Sequence, residues 1–189
     1  MIKDILPEID FIKNKSIRLR VYRFIDFKCP SYFWTIPASS SGKYHPEYCL
    51  GLGGLVRHTK AAVKIAIELF EDYNFTQRDK DIIISSLIVH DMFKQGTSEN
   101  QEKSPKTIHS HPALCADAFL GFCLKEHNDN IDAVSKWERQ IFNCVASHMG
   151  KWNTSKYDSV ILAKPKNKLE KFVHLCDYLA SRKCIEVKL

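Results

Sequence analysis

Glycine and proline are scarce in this chain, seven of each in 189 residues, which excludes disorder over most of its length. Long apolar runs are missing as well, and none approaches the roughly 20 residues that a membrane span needs. No two cysteines form a C-x-x-C pair and their total, seven, is odd, so neither a disulfide framework nor a zinc ribbon is expected. Cys115, Cys123, Cys144 and Cys176 instead fall on apolar helical faces, where a reduced thiol behaves as a small hydrophobe. That usage fits a reducing compartment. Repeats, long linkers and basic blocks are also lacking. The net charge of +6 is spread along the chain, so it suits an anionic partner without identifying one. The first residues, MIKDILPEIDFIKNK, carry charge every few positions and no signal-peptide apolar stretch, so a cytoplasmic location and no membrane partner are expected.

What remains is ordinary globular composition, 44% hydrophobic and 26% charged, at a length that suits one domain. Strand alternation is nowhere convincing, so the fold class is all-α, a single compact helical bundle. Residues 2–13 and 15–28 read as helices, the second amphipathic through Ile17, Leu19, Val21, Phe24 and Ile25. An irregular stretch over 29–54 follows, long enough to expect a functional role. Residues 1–49 are therefore expected to pack on a core formed by 50–189, in one structural domain overall.

From Gly54 the helical period is clean. Leu55, His58, Ala62, Ile65, Ala66, Leu69 and Tyr73 share a face. Thr76 and Asp79 form a capping pattern for a second helix, apolar nearly all round and therefore central, that ends at His90-Asp91. Residues 95–108 read as a mobile polar loop, and His111-Pro112 opens the next helix. A further helix runs from about Ile131 through Trp137, Ile141, Cys144, Val145 and His148 until Gly150 stops it, and Asn167 starts the last one.

Buried imidazoles and carboxylates without partners are costly. Yet His58, His90, Asp91, His111, His148 and Asp177 all fall on core-facing or helix-starting positions of separate segments. A shared metal centre accounts for all six. His109 competes with His111 for one place, and the proline after His111 selects the latter. His127 and His174 are not expected to be ligands. A mixed imidazole and carboxylate set without thiolate suits Fe, Mn, Co or Zn.

In this order the residues resemble the HD-domain superfamily of metal-dependent phosphohydrolases, whose signature is H…HD…D. The resemblance covers roughly residues 50–183. GGLVRHT around His58 is similar to an element of HD-domain 3′–5′ exoribonucleases, VHDMFK to the H-D-x-x-K form, and HPALCA and SHMG to elements of members with extra histidines. VHLCDYLAS is similar to the family's final Asp helix. The resemblance implies that His58, His90, Asp91 and Asp177 hold one divalent ion while His111 and His148 hold a second, with Asp91 bridging. It implies a phosphohydrolase that cleaves a phosphoester or phosphoanhydride bond of a small nucleotide-type substrate through a metal-activated hydroxide.

Asp91 is then both ligand and catalytic residue, and Lys94, one turn beyond His90, meets a phosphate oxygen as charge builds there. Lys43, His45 and Arg57 are placed to reach an anionic substrate, and Tyr32, Phe33, Trp34, Tyr44 and Tyr48 to stack on a base. The alternatives are a 3′–5′ exonuclease on short RNA or DNA and a di-iron oxygenase on the same fold. SSSGKY and GLGGLV miss the phosphate-loop and dinucleotide fingerprints and are read as the loop entering the His58 helix.

Overall fold

The computed structural model describes residues 2–39, 42, 43, 45–97 and 106–189. Tyr44 and residues 98–105, part of the polar stretch expected to form a loop, lie outside the described residues. Among the described residues, seven α-helices carry the fold: α1 (Leu6–Asp10), α2 (Lys15–Lys28), α3 (Gly54–Leu69), α4 (Gln77–Val89), α5 (His111–Glu126), α6 (Lys136–Ser147) and α7 (Lys168–Ala180). Short 3-10 turns connect them, and no strand occurs among the described residues, as the absence of alternation leads one to expect.

α4 is the axis of the bundle. Every residue from Asp81 to Val89 is buried, and α1, α2, α3, α6 and α7 pack around it. Thr76 and Asp79 close a reciprocal capping box at its start. The hydroxyls of Ser85 and Ser86 donate back to the carbonyls of Asp81 and Ile82 at 2.7 and 2.8 Å, so two polar side chains survive in the apolar centre. Asp81 is itself buried. Its carboxylate accepts the backbone N–H groups of Lys13 and Asn14, each at 2.9 Å, and thereby ties the α1–α2 corner to the axis. Ile5, Ile9, Ile12, Ile17, Val21 and Phe24 join the same core as α3–α7.

Two helix starts differ from the sequence expectation. The segment over 2–13 divides into a 3-10 turn, Ile2–Asp4, and α1, because Pro7 has no N–H to donate into a preceding turn and opens a helix instead. α6 begins at Lys136, not near Ile131, since Ser135 and Glu138 form a capping box there and Ile131–Ala133 is a separate 3-10 turn.

The described residues of the 29–54 stretch form a belt along α3. It contains two 3-10 turns, Ser31–Trp34 and Glu47–Cys49, and returns to α3 through a hydrogen bond from Leu55 N–H to the Ile36 carbonyl at 3.0 Å. Gly54 is required by close approach: a Cβ there would lie 2.2 Å from the Cys49 carbonyl oxygen. Among the described residues, no helix is long and apolar enough to cross a membrane.

Candidate metal centre

Helix ends deliver most of the polar groups. His90 and Asp91 follow directly on α4, His111 is the first residue of α5, and His148 caps the C-terminus of α6. His58 projects from the second turn of α3, and Asp177 from α7. The packing of α3, α6 and α7 against α4, and of α5 against α6, therefore brings all six residues together. Three overlapping sets have their ligand atoms within 4.8 Å of one another: His58, His90 and Asp91; His90, His148 and Asp177; and Asp91, His111 and His148.

The imidazoles are oriented by backbone. Nδ1 of His90, His111 and His148 lies 2.7, 2.6 and 2.7 Å from the carbonyls of Leu87, Ile108 and Val145, one turn upstream in each case. A carbonyl only accepts, so each Nδ1 carries the proton and each Nε2 presents a lone pair to the cluster. Two of these lone pairs face one another, with His111 Nε2 3.3 Å from His148 Nε2. His90 Nε2 and Asp91 Oδ1 are buried with no hydrogen-bond partner. Asp91 Oδ1 lies 3.0 Å from His111 Nε2, but the proton of that ring is committed to Ile108. Orphaned buried acceptors and opposed lone pairs are both unfavourable until an electrophile sits among them. The donor set fits a divalent cation.

Electrostatics favour positive charge at the same point. Burial pushes the carboxyl of Asp91 upward, yet Lys94 and His90 hold it well below the ordinary carboxylate range. Asp177 is likewise depressed against burial, by its contacts with His58 and His90. Burial opposes a charge on His90, but Asp91 and Asp177 overcome it and raise this ring's pKa. A field that favours a proton beside His90 favours a metal ion there too. His111 is lowered, chiefly by burial, which suits a neutral ligand.

The cluster forms the floor of a cleft of about 280 Å³. Lys94 lines it and ion-pairs with Asp91 Oδ2. His45 lines it as well, its pKa lowered by burial and by His58 to about 4, so it is a neutral imidazole. His109 stays outside the three sets, which take up His111.

Other residues named from the sequence are placed elsewhere. Arg57 does not reach the cleft: its guanidinium donates to the carbonyls of Tyr48, Leu50 and Leu52 at 2.6, 2.7 and 2.8 Å and pins the belt to α3. Lys43 is exposed and lies outside the cleft lining. Three of the described belt aromatics serve packing and backbone hydrogen bonds. Tyr32 is buried and donates to the Gly96 carbonyl at 2.6 Å, Phe33 is buried beneath Trp34, and Tyr48 donates to the Ala180 carbonyl at 3.0 Å.

Sequence reasoning missed the aromatic and cationic rim of the cleft, Trp152, Tyr178 and Arg182. One signal was available, since Tyr178 and Arg182 stand four apart just beyond Asp177 and share a side of the chain as it leaves α7. His174, set aside as a ligand, supports one: its Nδ1–H donates to the His148 carbonyl at 2.6 Å. His127 pairs with Glu138, remote from the cluster.

The family model for the HD domain matches residues 55–182 of this chain. Neither the curated proteins nor the solved structures compared with it contain a match.

Proposed function

Because the chain belongs to the HD-domain family of metal-dependent phosphohydrolases, we propose that it hydrolyses a phosphoester or phosphoanhydride bond of a small nucleotide, using two divalent ions drawn from Fe, Mn, Co or Zn. His58, His90, Asp91 and Asp177 would hold one ion, and His111 and His148 the other, with Asp91 shared.

One observation carries the two-ion reading. The oxygens of Asp91 face different histidine pairs: Oδ2 lies 3.8 and 3.6 Å from Nε2 of His58 and His90, and Oδ1 lies 3.0 and 3.6 Å from Nε2 of His111 and His148. A carboxylate in that position is suited to bridge two cations. When bound, such ions act as Lewis acids on a phosphoryl oxygen and lower the pKa of a water.

The chain's own groups supply the rest. The Nδ1–H bonds to backbone fix the tautomer and orientation of His90, His111 and His148. Lys94 is placed to turn from Asp91 toward a phosphate oxygen as negative charge accumulates. In the reaction a water oxygen bonds to phosphorus as the P–O bond to the leaving group breaks. The leaving oxygen takes a proton, giving phosphate and the shortened or dephosphorylated product. A cleft of about 280 Å³ lies at the small end of ligand sites, which supports a small nucleotide over a polynucleotide track.

The test is phosphate release from a panel of mononucleotides, dinucleotides and short RNA and DNA, with Mn²⁺ and with anaerobic Fe²⁺, in ¹⁸O-labelled water. Label in the released phosphate without any need for O₂ is the expected result. An absolute requirement for O₂ would replace hydrolysis by oxygenation, and processive shortening of an oligonucleotide would replace the small substrate.

A further inference from the structure

The mouth of the metal cleft carries an aromatic pair with free cations beside it. Trp152, in the turn after α6, and Tyr178 of α7 stack with centroids 5.4 Å and planes 23° apart. The Arg182 guanidinium lies 4.6 Å from the centre of the Tyr178 ring and 6.0 Å from that of Trp152. The Lys151 ammonium lies 4.7 Å from the centre of the Trp152 ring. Arg182 is steadied by Ser181, whose Oγ accepts from Nε and Nη2 at 3.2 and 2.9 Å. Among the described residues no carboxylate pairs with Arg182 or Lys151.

Each part of this rim has a cost or a use that points outward. Trp152 leaves 39% of its surface in solvent, although the indole is among the largest apolar side chains in the chain. A guanidinium held over an aromatic face keeps donors for an incoming anion, and cation–π contact fixes its plane in advance. Stacking face and unpaired cation are the complement of a ligand that is itself aromatic and anionic.

We propose that Trp152, Tyr178 and Arg182 form the nucleoside-recognition rim of the site. Trp152, backed by Tyr178, stacks on the base, and Arg182 binds a phosphate oxygen left free by the metal centre. The inference rests on the phosphohydrolase reading above and narrows its substrate to a nucleoside monophosphate, with a single base for the Trp152 indole and a single phosphate shared by Arg182 and the metal centre. Trp152 is then the determinant that separates a nucleotide from a sugar phosphate, and Arg182 serves the phosphate that both carry.

Calorimetry on the full chain without added metal compares adenosine 5′-monophosphate, ribose 5-phosphate and inorganic phosphate, so that nothing is turned over during titration. The nucleotide should bind roughly tenfold or more tighter than ribose 5-phosphate, the scale of a single base stack. Trp152→Leu should remove that difference, with unchanged metal content on loading. Arg182→Gln should weaken the nucleotide and ribose 5-phosphate alike, and it carries the test independently should Trp152→Leu fail to fold. Equal binding of nucleotide and sugar phosphate by the unaltered protein, or a preference that persists in Trp152→Leu, would overturn the rim. Phosphate release by the metal-loaded enzyme is read separately. Trp152-dependent binding without release supports the rim and removes the hydrolase reading, whereas release with Trp152-independent binding does the reverse.

Discussion

Among the six residues, Asp91 presents one carboxylate oxygen to each histidine pair. Asp91→Ala should therefore reduce the content of both ions, whereas His111→Ala or His148→Ala should lose one; elemental analysis after anaerobic loading distinguishes the two patterns. Lys94→Ala should keep full metal content and lower kcat by about a hundredfold, as for the loss of one charge-stabilising donor. Gly150 makes a subtler contribution. Its φ of 59° is left-handed, and a Cβ there would lie 2.3 Å from the His174 ring that holds the His148 carbonyl. Gly150→Ala should cost at least about 1–2 kcal/mol through backbone strain alone. It should also displace His148, seen as reduced occupancy of one ion beside a lowered melting temperature.

At the scale of elements, α2, α5 and α6 meet on one buried carboxylate. Glu138, fully buried, caps α6 with Ser135, pairs with Arg20 of α2 at 3.0 Å, and accepts from His127 at the end of α5 at 3.1 Å. Burial would raise its pKa, but the hydrogen bonds from Ser135, then His127 and Arg20, lower it below the ordinary 4.5. The unfolded chain thus binds its proton more readily than the folded one. The stabilisation is complete above about pH 4.5 and is lost as pH falls through the folded value. Glu138→Gln should lower the melting temperature at pH 7 and by a shrinking margin as pH falls below 4.5, by thermal melts across that range. A constant difference across that range would mean that shape, not charge, is what α6 requires of this position.

The molecule as a whole is one core that the N-terminal segment completes. α1 and α2 cover α4, and among the described residues the corner between them supplies two of the three hydrogen bonds to the Asp81 carboxylate, the third coming from the Gln77 amide on α4 itself. A chain beginning at residue 50 would lose the cover of α1 and α2 on α4 and the two backbone donors to the Asp81 carboxylate together. Residues 50–189, although they contain every polar group of the metal centre, should therefore fail to fold cooperatively when expressed without 1–49. Circular dichroism and a thermal melt would check this, and a sharp two-state transition from the shortened chain would show two units where we expect one.

Helical period, caps and the burial of imidazoles are properties of neighbouring residues, so α3, α4, α5 and α7 and the six polar positions were legible along the chain. Thr76 with Asp79 and Asn167 mark their helices locally, and Pro112 separates His111 from His109. The same local rule, read at Ser135 and Glu138, would have corrected the start of α6. Contacts between distant segments were not legible. Arg57 is taken up by three carbonyls of a belt whose path no periodicity describes, and Tyr32, Phe33 and Tyr48 turn inward for the same reason. The rim is the clearest case. Trp152 and Tyr178 meet only because α6 and α7 lie side by side, and that packing also puts the His174 ring under Gly150. A residue's own sequence neighbours decide whether its side chain is buried and how it is capped. Which partner it finds across the bundle is decided by helix packing, whose information is spread over every core side chain at once.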